Sequence, residues 1–258
     1  MKTIKVTLPE KLEEIELHIF ADEHIGDALC DMERLKERIK YVAETPNAYC
    51  ILNGDILDNA SRSSIGDIET RELNIMAQIQ HGVSLFEPIK DKILCLCNGN
   101  HENRAFRKEG IDISKLIAMQ LGLGDVYTPA SALLFLRFGK MSSHFSNRPV
   151  LYVLFCNHGS GGGRKEGAKA IRLADMSSIV DADVYIHSHT HLGMIMKQGF
   201  FRTDLKSSTV QFVNKLFVNT ASNLGYGGYG EAQEFKPNSK DTPVIYLSGK
   251  KKDFKAKL

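Results

Sequence analysis

Five short runs rich in β-branched and aromatic residues each end abruptly in side chains that bind metal ions, and few folds accommodate that pattern. Residues 14–20 lead into Asp22 and His24, and 48–52 into Asn53, Gly54, Asp55 and Asp58. Residues 92–97 lead into Asn98, Gly99, Asn100, His101 and Glu102; 149–156 into Asn157 and His158; and 183–186 into His187, Ser188, His189 and His191. Runs of this length and composition read as strands. Between the first three lie stretches with apolar residues three and four apart, such as Leu29, Met32, Leu35, Ile39 and Val42 within 28–44, with similar spacing within 68–86 and 111–121. That spacing predicts helices. Strand–helix–strand order implies parallel strands joined by right-handed crossovers. The later runs follow one another without long helices, which predicts more antiparallel pairing; 132–156 reads as a hairpin around a polar loop at 139–148. The predicted fold is α/β, with layered sheets. In open α/β sheets, sites form beyond the carboxyl ends of strands, so five clusters at five strand ends can converge on one place.

Composition removes several alternatives. The chain has 258 residues, 43% hydrophobic and 25% charged, which excludes disordered and fibrous classes and suffices for a core without disulfides. No apolar run approaches the about 20 residues of a membrane helix, and the first ten residues lack the apolar core of a signal peptide. The expectation is a soluble, cytoplasmic protein. The five cysteines (Cys30, Cys50, Cys95, Cys97, Cys156) include no Cys-x-x-Cys pair, which argues for buried thiols in a reducing compartment. The net charge is +2, but the last ten residues carry five Lys and one Asp; such a tail is either a solvated end or a contact for nucleic acid.

The candidate ligands are Asp22, His24, Asp55, Asn100, His158, His189 and His191. Nitrogen and oxygen donors without a thiolate suit manganese, iron, zinc, nickel or cobalt. Seven are too many for one catalytic zinc. They suit two ions about 3.5–4 Å apart sharing one carboxylate, an arrangement that clamps a hydroxide for in-line attack on phosphorus. Asp55 is the choice for the shared carboxylate, because Gly54 before it permits close backbone approach. Asp22 and His24 stand two apart, as do His189 and His191; if locally extended, each pair projects from one side of the backbone.

Asp22-x-His24, Gly54-Asp55-x-x-Asp58, Gly99-Asn100-His101-Glu102, the lone His158 and Ser188-His189-x-His191 together resemble the calcineurin-like metallophosphoesterase family in order and spacing. The motifs span 22–191, within a single expected domain over 1–258 whose remainder, 192–258, supplies further strands and the basic tail. The resemblance implies a four-layer αββα sandwich of mixed sheets flanked by helices. It implies two divalent ions, manganese being the expected metal. Asp22, His24, Asp55 and His191 would hold one; Asp55, Asn100, His158 and His189 would hold the other. His101 would lie near the leaving oxygen as general acid or cationic stabiliser, oriented by a hydrogen bond to Asp58. Arg104 would contact phosphate, with Asn100 also on the substrate side.

Two departures narrow the family. Phosphoprotein phosphatases carry arginines where this chain has Asn59 and Asn98, and Ser188 replaces the usual Gly before His-x-His. The missing arginines, the basic tail and the loop 160–165 with Arg164 and Lys165 point to a phosphodiesterase or nuclease acting on DNA, RNA or nucleotides. Tyr226 and Tyr229 are candidates for base stacking, although a turn-rich loop with exposed tyrosines explains them as well. The alternatives are a small-molecule or nucleotide phosphomonoesterase, and a non-catalytic docking protein with a retained metal site.

Overall fold

The structure, a computed structural model, describes residues 1–60, 74–139 and 149–258. Strands β1 (Lys2–Leu8) and β2 (Glu14–Phe20) open the chain. Helix α1 (Met32–Glu44) leads to β3 (Ala48–Asn53), and α2 (Ile75–Phe86) leads to β4 (Ile93–Cys97). Helices α3 (Asn100–Glu109) and α4 (Ile113–Gln120) follow, then β5 (Tyr127–Thr128), β6 (Ala132–Phe138) and β7 (Leu151–Cys156). Helix α5 (Glu166–Asp175) precedes β8 (Val184–His187), β9 (Met194–Asp204) and β10 (Thr209–Asn219). A short α6 (Gly228–Ala232), β11 (Val244–Ser248) and β12 (Phe254–Lys257) complete the chain.

Two six-stranded mixed sheets result, in the orders β1-β6-β7-β8-β10-β9 and β12-β11-β2-β3-β4-β5. The period-2 alternation predicts which faces meet. Ile15, Leu17 and Ile19 of β2 and Leu134, Leu136 and Phe138 of β6 share one buried cluster between the sheets. Leu35, Ile39 and Val42 of α1, with Ile79 of α2 and Ile117 of α4, cover the outer face of the second sheet. Leu173 of α5 packs on Phe155, Tyr185 and Phe217 at the outer face of the first. The order is helix, sheet, sheet, helix, the four layers that the family resemblance implies.

Local chemistry sets the helix ends. Helix α1 begins at Met32 rather than near residue 28, because the Asp31 carboxylate accepts from the Arg34 N–H at 3.2 Å and caps the first turn. Asn74 caps α2 in the same way, and the part of the 68–86 expectation before it lies outside the described residues, as does most of the 139–148 loop. Strands β2, β3 and β4 pair in parallel and β6 with β7 antiparallel, as the spacing predicts.

Two expectations change. Helix α5 joins β7 to β8 as a parallel crossover, where the sequence reading has no helix; only Leu173 of its ten residues is buried, so no apolar stripe announces it. The basic tail is not a loose end. Phe254–Lys257 is a strand paired with β11, and Lys250, Lys252 and Lys255 meet Glu13, Asp183 and Glu14 at 2.7, 2.8 and 3.3 Å. Ser248 stands opposite Glu14, the first residue of β2, so the turn carrying Lys250, Lys251 and Lys252 lies at the opposite end of the strands from Asp22. No helix among the described residues is long and apolar enough to cross a membrane.

Candidate metal centre

The carboxyl ends of β2, β3 and β4 in one sheet and of β7 and β8 in the other meet at one edge of the sandwich. The backbone there is bent sharply: Asp22, His24, Asp55, His189 and His191 all have positive φ, between 50° and 65°. Such residues cost about 1–3 kcal/mol each and collect at functional sites. The expectation of locally extended pairs therefore fails. Left-handed residues turn the chain so that Asp22, His24 and His191 form one group of ligand atoms and Asp55, His158 and His189 another, each within 4.8 Å. His189 and His191 thus serve different groups. Close approach is obligatory around Asp55. A Cβ on Gly54 would lie 2.7 Å from the His158 ring, and one on Gly99 would lie 2.1 Å from the Asp55 nitrogen.

Hydrogen bonds fix which ring nitrogens face the centre. His158 Nδ1 lies 2.8 Å from the Asn53 carbonyl, which can only accept, so the proton sits there and Nε2 points inward, 3.2 Å from Asp55 Oδ2 and 3.0 Å from Asn100 Oδ1. His189 Nδ1 is 2.7 Å from the same Asn100 oxygen. On the other side, His191 Nε2 is 3.3 Å from Asp22 Oδ1. His101 gives its Nδ1 proton to the Asp58 backbone carbonyl at 2.6 Å, with the Asp58 carboxylate farther off at 3.5 Å. Its Nε2 is left toward Asp55, 3.8 Å away.

The electrostatics follow from packing these groups out of water. Burial, with repulsion from His101, lowers the His24 pKa to about 3. Burial and the His158 charge lower His189 to about 4. Burial works against a charged His158 too, but the Asp55 carboxylate outweighs it and raises that group to about 10. Burial also favours a neutral Asp22, yet His191 and His158 prevail and bring it down to about 2. The result is a pair of buried carboxylates among imidazoles: His24 and His189 are neutral and able to donate a lone pair, and His158 would do so once a cation displaces its Nε2 proton.

Asp22 Oδ1 and both nitrogens of His24 are buried and meet no hydrogen-bond partner among the described residues. An unmet buried polar atom costs about 1–3 kcal/mol. A divalent cation held by Asp22, His24 and His191 would meet Asp22 Oδ1 and one of the two His24 nitrogens, and the donor set carries no thiolate to disfavour manganese or iron. The residues fit the two ions implied by the resemblance.

The family model for calcineurin-like phosphoesterases matches residues 18–193, which contain every one of these groups. The chain belongs to the calcineurin-like phosphoesterase family. It is a hydrolase of phosphate esters. Solved structures similar to this phosphoesterase include a metallophosphoesterase from Sphaerobacter thermophilus, 11% identical over 92% of this chain and 84% of that one, with a TM-score of 0.40. A predicted phosphoesterase from Streptococcus pneumoniae is 14% identical over 95% and 98%, TM-score 0.35. The nuclease MPE of Pseudomonas putida is 14% identical over 92% and 84%, TM-score 0.34. The search of curated proteins gives no match.

Several contacts that shape the centre of this phosphoesterase escape a reading of motifs. Asp22 Oδ2 accepts from the His189 N–H at 3.0 Å and the Thr220 hydroxyl at 3.3 Å, and the Ser222 hydroxyl donates to the Asp22 carbonyl at 3.1 Å. Buried Glu102 accepts from the N–H groups of Asp55 and Leu57 at 3.1 and 2.9 Å, which holds the Asp55 turn. The unusual Ser188 takes a 2.7 Å bond from Asn53 Nδ2, joining the two sheets beside the centre. Asn59 donates to the His101 carbonyl at 2.6 Å, and Asn98 accepts from Ser114 at 2.7 Å. The positions of the absent phosphatase arginines are thus given to framework bonds. Arg104 lies one turn along α3 from His101 and is half-buried. Arg164 rests over the Phe235 ring at 5.0 Å, and Tyr226 is exposed. The side chain of Tyr229 lies outside what the structure describes, and Gly228–Ala232 is helical rather than loop.

Proposed function

We propose that the chain is a phosphodiesterase acting on nucleotides or nucleic acid, working as one domain in the cytoplasm with two manganese ions. The observation that carries the metal-dependent part is the meeting of two ligand groups around Asp55 with His101 beside them. Asp22, His24, Asp55 and His191 would hold one ion, and Asp55, Asn100, His158 and His189 the other. When bound, the ions supply Lewis acidity and lower the pKa of water.

The remaining roles belong to the chain. His101 Nε2 holds a proton over the leaving oxygen, with the ring locked by the Asp58 carbonyl. Burial lowers the pKa of His101, but Asp55 and Asp58 outweigh it and raise the group, which favours the protonated ring. Asn100 uses its oxygen toward His158 and His189, which turns its NH₂ to a phosphoryl oxygen. Arg104 binds a second phosphoryl oxygen. The diester preference is supported by Asn59 and Asn98 standing where phosphatases carry arginines, since a monoester dianion gains more from such charge. The tail lysines, at the far end of the strands, lend it nothing. Free, buried Cys50, Cys95, Cys97 and Cys156 suit a reducing compartment.

Hydrolysis of bis-p-nitrophenyl phosphate and p-nitrophenyl phosphate in manganese, with Asp55→Asn as blank, tests the reading. The diester is expected to be the better substrate. Preference for the monoester would make the chain a phosphomonoesterase, and absence of both activities would favour a docking role.

A further inference from the structure

A cavity of about 210 Å³ adjoins the His158 loop. It is bounded by that loop at Gly159, by His187 at the end of β8, and by Arg172, Asp175, Met176 and Ile179 of the α5 region. Gly159 and His187 stand one and two residues along the chain from His158 and His189, at about 3.8 Å per residue. The cavity and the candidate centre therefore share one rim.

The hydrogen-bonding character of His187 follows from its neighbour. Asn219 Nδ2 donates to the Thr190 hydroxyl and to the Leu192 and Thr220 carbonyls at 2.9, 2.6 and 3.2 Å, which fixes the amide orientation. Asn219 Oδ1 then faces His187 Nδ1 at 2.7 Å and can only accept, so the ring proton is on Nδ1. Nε2 is then the ring nitrogen left for the cavity that His187 lines, and the ring face lies against Gly159, where a Cβ would lie 2.2 Å from Nε2 and 2.5 Å from Cε1. The φ of Gly159 is +96°, so glycine is needed there both for the backbone and for the room beside the ring. The cavity thus offers an acceptor from His187, donors from the Arg172 guanidinium, and apolar surface from Met176 and Ile179. Asp175 on the same wall opposes a bare phosphate. A neutral, flat ligand presenting an N–H beside a C=O matches this set: the lactam or imide edge of a nucleobase.

We infer that this cavity is a base-binding subsite selecting thymine, uracil or guanine in the nucleoside attached to the scissile phosphate. The inference rests on the nucleotide or nucleic-acid reading of the centre and names its specificity. Two measurements on the metal-loaded protein test it. In the first, thymidine, which has no ester to cleave, is titrated against wild type and Arg172→Ala, alongside N3-methylthymidine, which lacks the imide N–H. Thymidine is expected to bind at least fivefold more tightly than the methylated analogue, and Arg172→Ala to weaken thymidine by about tenfold, the loss of one charge-assisted hydrogen bond. Equal binding of the two nucleosides, or binding of neither, overturns the subsite. In the second, Arg172→Ala is expected to raise KM for thymidine 5′-(p-nitrophenyl phosphate) about tenfold and to leave bis-p-nitrophenyl phosphate within twofold. An equal change on both substrates also overturns it. Should the wild type cleave no diester, the proposed activity fails, while the nucleoside titration still decides the subsite. Arg172 is exposed on α5, so its loss leaves the fold intact.

Discussion

Asp22 gives one carboxylate oxygen to the protein and keeps the other for the centre. Thr220 and the His189 N–H occupy Oδ2, which aims Oδ1 at His24 and His191. Thr220→Val keeps the shape and removes the donor, and manganese affinity is expected to fall about tenfold, the magnitude usual for partners that orient a ligand; titration with the metal reads it, and Thr220→Ser should restore it. His101→Ala is expected to keep the full metal content and lose most of the rate. Elemental analysis checks this, because His101 also stands with His24 and Asp58 as a group of potential ligands, and a drop in metal would make it one. Six of the seven candidate ligands are legible in the sequence because each lies within a few residues of its motif partners, and the lone His158 because it ends a strand-like run as they do. Thr220 is not: it meets Asp22 across 198 residues, and a single hydroxyl after a strand has no spacing that marks it. Glu102 belongs to a motif, yet its bonds to two backbone N–H groups are visible only once the Asp55 turn is folded.

Among elements, legibility tracks the number of apolar residues on the buried face. Helix α1 has Leu35, Ile39 and Val42 at helical spacing, whereas α5 buries Leu173 alone, and only the first announces itself in the sequence. The last strand is hidden for another reason: its lysines dominate its composition, while Phe254, with Ala256 beside it, does the packing. Phe254 is 8% exposed and sits in the core between the sheets, and the Tyr152 hydroxyl lies within 2.8 Å of the Asp253 carbonyl next to it. Phe254→Ala is expected to cost about 3–5 kcal/mol of stability, measured by urea unfolding, with kcat per folded molecule unchanged. A loss of rate without loss of stability would instead return the tail to the substrate.

At the scale of the whole molecule, the ligands are divided between layers. Asp22, His24, Asp55 and Asn100 follow strands of one sheet, and His158, His189 and His191 follow strands of the other. Ions that bind only this assembled arrangement raise the unfolding free energy by about 2.7 kcal/mol at a hundredfold excess over Kd. Manganese is therefore expected to raise the Tm of the wild type and chelation to lower it, as scanning calorimetry would show, with Asp55→Asn largely indifferent to both. The division has a physiological side as well. Ions drawn from the surroundings and held by both halves of the sandwich would rivet them at one edge, and the lifetime of the chain in a cell would then follow metal supply. Under metal shortage that edge would lose its rivets, and proteases would clear the idle copies before the working ones.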